Sequence, residues 1–285
     1  MIIIAHKLIP ISVKLKKAVF ILKTMTANSP TILALDFDGV ICDGLIEYFE
    51  VAWRTYCQIW HQTNDTPPDD LALRFYRLRP VIETGWEMPI LIKALIEGFS
   101  DEKILQLWTN ITPQILAENH LEAKTVSTQL DHLRDEWIKT DLDGWLSLHK
   151  FYPGVIERLK ITLESSTQLY IVTTKEGRFV QKLLQREGVN LPPEMIFGKE
   201  VKRPKYQTLR QLIDKANTQP VSLWFMEDRL KTLQLVQQQS DLDHVKLFLA
   251  DWGYNTQPER EAGKNDPRIQ LISLSHFVQD FSTWL

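Results

Sequence analysis

Short apolar runs separated by longer amphipathic stretches organise most of this chain. Four runs, at 32–37, 169–173, 221–226 and 245–250, are rich in Val, Ile, Leu and Phe, and each gives way to polar residues. A short run that is apolar on nearly every position predicts a strand buried on both faces, the situation of a strand inside a parallel sheet. A shorter run at 195–197 predicts a further strand. Between the later runs, 177–187 and 206–216 carry apolar residues at helical spacing. Strands alternating with helices in this way predict an α/β fold with a doubly wound parallel sheet.

The interval 45–149 departs from that alternation. Amphipathic stretches at 45–60, 101–108 and 113–138 contain no convincing strand, so a helical insert is expected there. Turn-favouring residues stand at both borders, Asp43-Gly44 before it and Tyr152-Pro153-Gly154 after it. The expected organisation is therefore an α/β core formed by 31–44 and 150–285 with a helical cap of 45–149 inserted between them. Asp43 is expected to cap the helix that opens the insert. Six of the nine tryptophans fall in the insert, where they are expected to fill a small helical core.

Composition narrows the function classes. With 44% hydrophobic residues in 285, the chain buries a full core, and a net charge of −3 with a pI near 6.2 lacks the basic footprint of a nucleic-acid binder. The two cysteines, Cys42 and Cys57, exclude a disulfide framework and a multi-cysteine zinc site, and suit a reducing cytoplasm. No two of the seven histidines share the i, i+4 spacing of a helical metal site. Residues 1–30 are basic, with five lysines and no acid, among apolar runs too short for a signal peptide or a membrane span. A peripheral, disordered extension is the expectation, with translation from Met25 as the other reading; no membrane partner is expected. Oligomeric state is not legible.

The chemistry lies where the strands end. Ligands of open α/β sheets bind outside the carboxyl ends of the strands. Asp36 and Asp38 close the first run, Thr173-Thr174-Lys175 the second, and Glu227-Asp228 another, while Lys202 and Lys205 follow the short strand. Charges at the ends of buried strands are costly unless they are paired or bind an ion.

These residues resemble, in order, the four signature motifs of the haloacid dehalogenase superfamily, most of whose members are phosphatases. The segment Leu33-Ala34-Leu35-Asp36-Phe37-Asp38-Gly39-Val40 is similar to the first motif, Tyr170-Ile171-Val172-Thr173-Thr174-Lys175 to the second, and Phe225-Met226-Glu227-Asp228 to the fourth. Lys202 and Lys205 are both candidates for the motif lysine, with Lys205 favoured because Leu209 follows it four residues on. Asp251-Trp252-Gly253-Tyr254 resembles a late loop of phosphoglycolate phosphatase relatives, and the insert resembles the family's C1-type cap. The resemblance implies that Asp36 attacks a phosphate ester, that Asp38 acts as acid and then base, and that Thr173 holds the phosphoryl oxygens. It also implies that Mg2+ is bound by Asp36, the main-chain carbonyl of Asp38, Asp228 and, through water, Glu227.

The substrate implied is a small phosphorylated metabolite. Thr174 at the second motif, and Arg79, Glu83 and Trp86 in the cap stretch 74–87, are candidates to contact it; a solvated arginine face on a helix is the plainer reading of that stretch. A phosphosugar mutase shares the same acids and cap. A non-catalytic relative that senses a phosphorylated ligand or binds a partner is the alternative from another class.

Overall fold

A computed structural model describes residues 29–63, 66–216 and 220–285. The basic extension up to residue 28, and with it the choice between Met1 and Met25, lies outside them.

The chain enters strand β1 (Ile32–Leu35), crosses β2 (Cys42–Asp43) and passes into helices α1 (Leu45–Ile59), α2 (Leu71–Leu78), α3 (Glu87–Ile96), α4 (Asp101–Glu118), α5 (Ala123–Thr140) and α6 (Leu142–Ser147). It returns through β3 (Lys150–Phe151), then α7 (Val155–Leu163), β4 (Gln168–Val172), α8 (Gly177–Arg186), β5 (Ile196–Phe197) and α9 (Lys205–Asp214). The remainder is β6 (Leu223–Glu227), α10 (Leu230–Gln237), β7 (Lys246–Ala250), α11 (Gln257–Asn265), β8 (Ile269–Ile272) and α12 (Leu274–Phe277).

Six strands form one sheet in the order β5-β4-β1-β6-β7-β8, every neighbouring pair parallel. After β1 the chain builds outward on one side through β4 and β5, then crosses over to build β6, β7 and β8 on the other. β1 is therefore the point at which strand order reverses, and its carboxyl end opens into the crevice where such sheets bind ligands. The two-residue period of a strand divides its apolar residues between the faces. Leu33 and Leu35 join Ile171, Trp224, Met226 and Phe248 under α7 and α8, while Ile32 and Ala34 join Phe225, Leu247 and Leu249 under α9 and α10.

The doubly wound sheet and its helical cap match the sequence expectation, with differences in detail. β1 ends at Leu35, so Asp36 already stands beyond the strand, and Met195 belongs to a turn of 3-10 helix before β5. β8 was not predicted: its four residues include the exposed Gln270 and carry too weak a pattern. The stretch expected at 113–138 is two helices, because α4 runs through Pro113 to Glu118 and the chain turns at 119–122 before α5. The helical arginine face read in the stretch 74–87 is carried by α2, through Arg74 and Arg77, whereas α3 has no counterpart among the sequence expectations.

β2 and β3 pair antiparallel, so the outgoing and returning chains lie side by side beneath the cap. A separate apolar cluster runs through α1 to α5, from Tyr48 and Phe49 to Val126 and Leu130. Trp53 and Trp108 are buried in it, but Trp145 is buried in the core beneath the sheet instead, against Phe179. Helix periodicity marks an apolar face without indicating which neighbour will cover it.

Candidate active site

Asp36 leaves the sheet with its amide still bonded to the Met226 carbonyl, at 2.9 Å. That ladder bond places its carboxylate beside the end of β6, where Glu227 and Asp228 follow. One oxygen from each of the three carboxylates lies within 4.8 Å of the others, and all three residues are buried. The chain then turns sharply: Gly39 adopts φ +85°, and a Cβ there would stand 2.1 Å from Asp228 Oδ2. Glycine is needed here both for the left-handed backbone and for the approach of the third carboxylate.

Lys205, the first residue of α9, supplies the counter-charge. Its Nζ donates to Asp36 Oδ1 at 2.7 Å and to Glu227 Oε2 at 2.6 Å. One ammonium among three carboxylates leaves excess negative charge out of contact with water. Burial pushes the Asp36 carboxyl up to about 7, with the Glu227 charge adding to it and Lys205 only partly offsetting it. Burial likewise raises Glu227 to about 7 and Asp228 to about 6. Carboxylates so disposed suit a hard divalent cation with oxygen ligands, which would lower all three values together.

Thr173 and Lys175 follow the end of β4, and Asp38 stands in the turn after β1. Thr173 is buried, its amide bonded to the Phe197 carbonyl at 2.9 Å and its Oγ1 accepting the Lys175 amide at 3.1 Å. Lys175 Nζ lies 3.3 Å from Asp38 Oδ1, and both side chains are largely buried. Lys175 was part of the quoted motif but was given no role from the sequence. Only the fold shows that its ammonium reaches the second acid.

A cavity of about 450 Å³ opens above these residues between sheet and cap. Asp38, Thr173, Lys175 and Lys205 line its base, the exposed Thr174 its rim, and Arg79, Glu83 and Trp86 its cap side. Every cap residue singled out from the sequence thus borders the cavity, though not equivalently. Arg79 sits in the 3-10 turn after α2, its guanidinium 4.5 Å from the Tyr254 ring centroid and 5.2 Å from that of Tyr48. Glu83 is exposed and tied to Lys231 at 2.7 Å. Arg74 and Arg77, by contrast, point away and share Asp101. Lys202 also lines the cavity, but it is exposed, held in a left-handed backbone at φ +46°, and does not contact Asp36.

Several contributors carried no sequence signal. Arg134 of α5 lines the cavity, anchored by Nε to the fully buried Glu47 of α1 at 2.7 Å. Trp145 Nε1 donates to the same Glu47 oxygen at 3.1 Å. Such pairs join residues far apart in the chain, and no local pattern announces them. Asp43 was expected to cap the first cap helix, but the cap position is Gly44; Asp43 stands one residue earlier, accepts the Leu45 amide at 3.0 Å in a local turn, and receives the Tyr254 hydroxyl at 2.9 Å. Asp228 Oδ2 receives the Tyr254 amide at 2.6 Å.

Residues 91–238 match the family model of haloacid dehalogenase-like hydrolases. No curated protein matches the chain. Among solved structures, one described as a predicted phosphoglycolate phosphatase from Haemophilus somnus is similar at TM-score 0.53 and 14% identity, over 88% of this chain and 95% of that one. A haloacid dehalogenase-like family hydrolase from Streptococcus pneumoniae is similar at TM-score 0.51 and 15% identity, over 86% of this chain and 94% of that one. A predicted phosphatase from Clostridium acetobutylicum gives TM-score 0.51 and 12% identity, over 87% and 96%. At these identities the likeness is one of fold. Among the described residues, no helix is long and apolar enough to cross a membrane.

Proposed function

Because the chain belongs to the haloacid dehalogenase-like hydrolase family, we propose that it is a Mg2+-dependent phosphomonoesterase acting on a small phosphorylated metabolite through an aspartyl phosphate on Asp36. The observation that carries this reading is the contact of Lys205 with Asp36, at 2.7 Å, beside a cavity that also presents Asp38 and Thr173. The descriptions of the similar structures as phosphatases support a phosphate ester as the bond attacked.

The chemistry follows from charge. A carboxylate about 4 Å from an anionic phosphoryl group is opposed by about 4 kcal/mol per charge pair at an effective dielectric near 20. Lys205 offsets part of that repulsion and favours the ionised Asp36 needed for attack. Lys205 rather than Lys202 therefore takes the place of the motif lysine. Asp36, Asp228 and the Asp38 carbonyl would hold Mg2+, with Glu227 holding it through water. Once bound, the ion supplies further positive charge for the phosphoryl oxygens.

An Asp36 oxygen forms the new bond to phosphorus as the ester P–O bond breaks, and Asp38 gives its proton to the departing alkoxide oxygen. Asp38 then takes a proton from water, whose oxygen attacks phosphorus and releases Asp36 and free phosphate. Thr173 and the amides after it hold the phosphoryl oxygens.

Arg79 presents donors toward the leaving group and suits a second anionic function such as a carboxylate. Trp86 forms a wall and Thr174 the rim. Glu83, held by Lys231, acts on the closure of the cap more than on the substrate. This reading takes 31–44 and 150–285 as the hydrolase core and 45–149 as its cap, in a cytoplasmic protein that binds no nucleic acid. A panel of phosphorylated metabolites supplied with Mg2+ tests it. Phosphate release is expected from the wild type and not from Asp36→Asn or in excess chelator. Isomerised sugar phosphate in place of free phosphate, or full activity in Asp36→Asn, would refute it.

A further inference from the structure

The loop 251–255 after β7 meets the acid cluster, the crossing into the cap and the cap itself, and it does so largely through one residue. The main-chain amide of Tyr254 donates to Asp228 Oδ2 at 2.6 Å. Its hydroxyl, at the other end of the side chain, donates to Asp43 Oδ1 and accepts the Gly44 amide, both at 2.9 Å. Asp43 and Gly44 are the last residues before the first cap helix. The Tyr254 ring lies under the Arg79 guanidinium at 4.5 Å, and its carbonyl accepts Arg229 Nη1 at 3.1 Å, a nitrogen that also donates to the cap carbonyl of Pro80.

These contacts leave little slack. A Cβ on Gly253 would stand 2.2 Å from Asp228 Cβ, and one on Gly39 would stand 3.1 Å from the Tyr254 ring. The loop therefore cannot shift without carrying Asp228 with it, because close-packed atoms transmit displacement. Tyr254 is itself buried, and its hydroxyl has its donor and its acceptor both in the crossing residues.

We propose that Tyr254 is a positioning residue that ties the crossing into the cap to the carboxylate of Asp228, so that occupancy of the acid cluster by a divalent cation and closure of the cap favour one another. The proposal rests on the cation role given to Asp228 above. A cation that draws Asp228 into one position holds the Tyr254 amide with it, and the rigid phenol passes that constraint to Gly44 across a single residue. The coupling is reciprocal: whatever cation binding gives to cap closure, cap closure returns to cation affinity.

Amide exchange read by mass spectrometry, with Mg2+ alone as the probe, tests this without turnover. In the wild type, Mg2+ is expected to slow exchange across 43–48 by about tenfold, within the usual range of coupling between sites. Tyr254→Phe keeps the ring, the amide and the carbonyl and removes only the hydroxyl. Mg2+ should still raise its Tm, while the slowing across 43–48 falls to within about twofold. Asp43→Asn retains an oxygen for both the hydroxyl and the Leu45 amide, and should retain the slowing. If Tyr254→Phe does not fold, Asp43→Ala removes the hydroxyl's acceptor but keeps its bond from the Gly44 amide, so the slowing should fall part of the way, to about threefold, and undiminished slowing there would overturn the proposal. Undiminished slowing in Tyr254→Phe would overturn the proposal, as would a wild type whose Tm rises with Mg2+ but whose 43–48 exchange does not change. A wild type in which Mg2+ changes neither quantity would overturn the cation reading itself, and the coupling with it.

Discussion

The buried pair between Glu47 and Arg134 allows a stability prediction with its magnitude set by the structure. Glu47 has no exposed surface, and Arg134 keeps 13% of its side chain exposed. Burial opposes ionisation of Glu47, yet Arg134, Lys175 and His149 more than offset it and hold the carboxyl at about 2, against an ordinary 4.5. That difference is equivalent to about 3 kcal/mol of stability. A carboxyl lowered in the folded state contributes fully above its unfolded value, here near pH 4.5, and loses the contribution as the pH falls toward 2. Glu47→Gln keeps an oxygen for Trp145 but strands the Arg134 charge. Urea unfolding should show it less stable than wild type by about 3 kcal/mol at pH 7, narrowing to about 2 kcal/mol at pH 3.5 with an unchanged denaturant slope. Adding Arg134→Met removes the stranded cation and should recover part of the loss. A deficit below about 1 kcal/mol at pH 7, or one that does not narrow on acidification, would refute the assignment of this pair as a buried clamp.

Three further outcomes are expected. Lys205→Met leaves Asp36 and Glu227 without their shared ammonium, and kcat on a generic phosphate ester should fall by about 10²–10³-fold, whereas a loss under about tenfold would count against Lys205 as the neutralising residue. Asp36 and Glu227 at about 7 and Asp228 at about 6 hold protons below those values, so their contribution to metal-free stability is lost as the pH rises through that range. Mg2+ competes with these protons, and the rise in Tm from saturating Mg2+ should be larger at pH 8 than at pH 5.5; equal shifts would contradict the assigned cluster. Gly39→Ala forces a side chain into a φ of +85° and to 2.1 Å from Asp228 Oδ2, and the variant should lose the Mg2+-dependent Tm shift while its circular dichroism stays native.

Much of the fold was legible because a strand buried on both faces has to be apolar throughout, as at Leu33, Phe225 and Leu247, and because polar residues where such strands stop are conspicuous. Asp36, Asp38, Thr173, Glu227 and Asp228 were all found in that way. The strand Ile269–Ile272 escaped notice because an outer position tolerates the exposed Gln270. Trp145 was assigned to the wrong core because its helix belongs by sequence to the insert but packs beneath the sheet.

The sequence by itself determined the class of fold, the strand ends that carry charge, and the types of side chain available for chemistry, because these depend on local pattern and on burial that every element shares. It left both Lys202 and Lys205 as candidates, with Lys205 favoured by the Leu209 that follows it. The tertiary structure supplies the contact itself, turning Lys205 to Asp36 and leaving Lys202 at the cavity rim. The same holds for Lys175 at Asp38, Glu47 under Arg134 and Tyr254 between Asp43 and Asp228: each contact joins segments distant in sequence. Such contacts follow from how helices and loops stack on the sheet, where electrostatics act over a few ångströms and depend on positions that no local periodicity encodes.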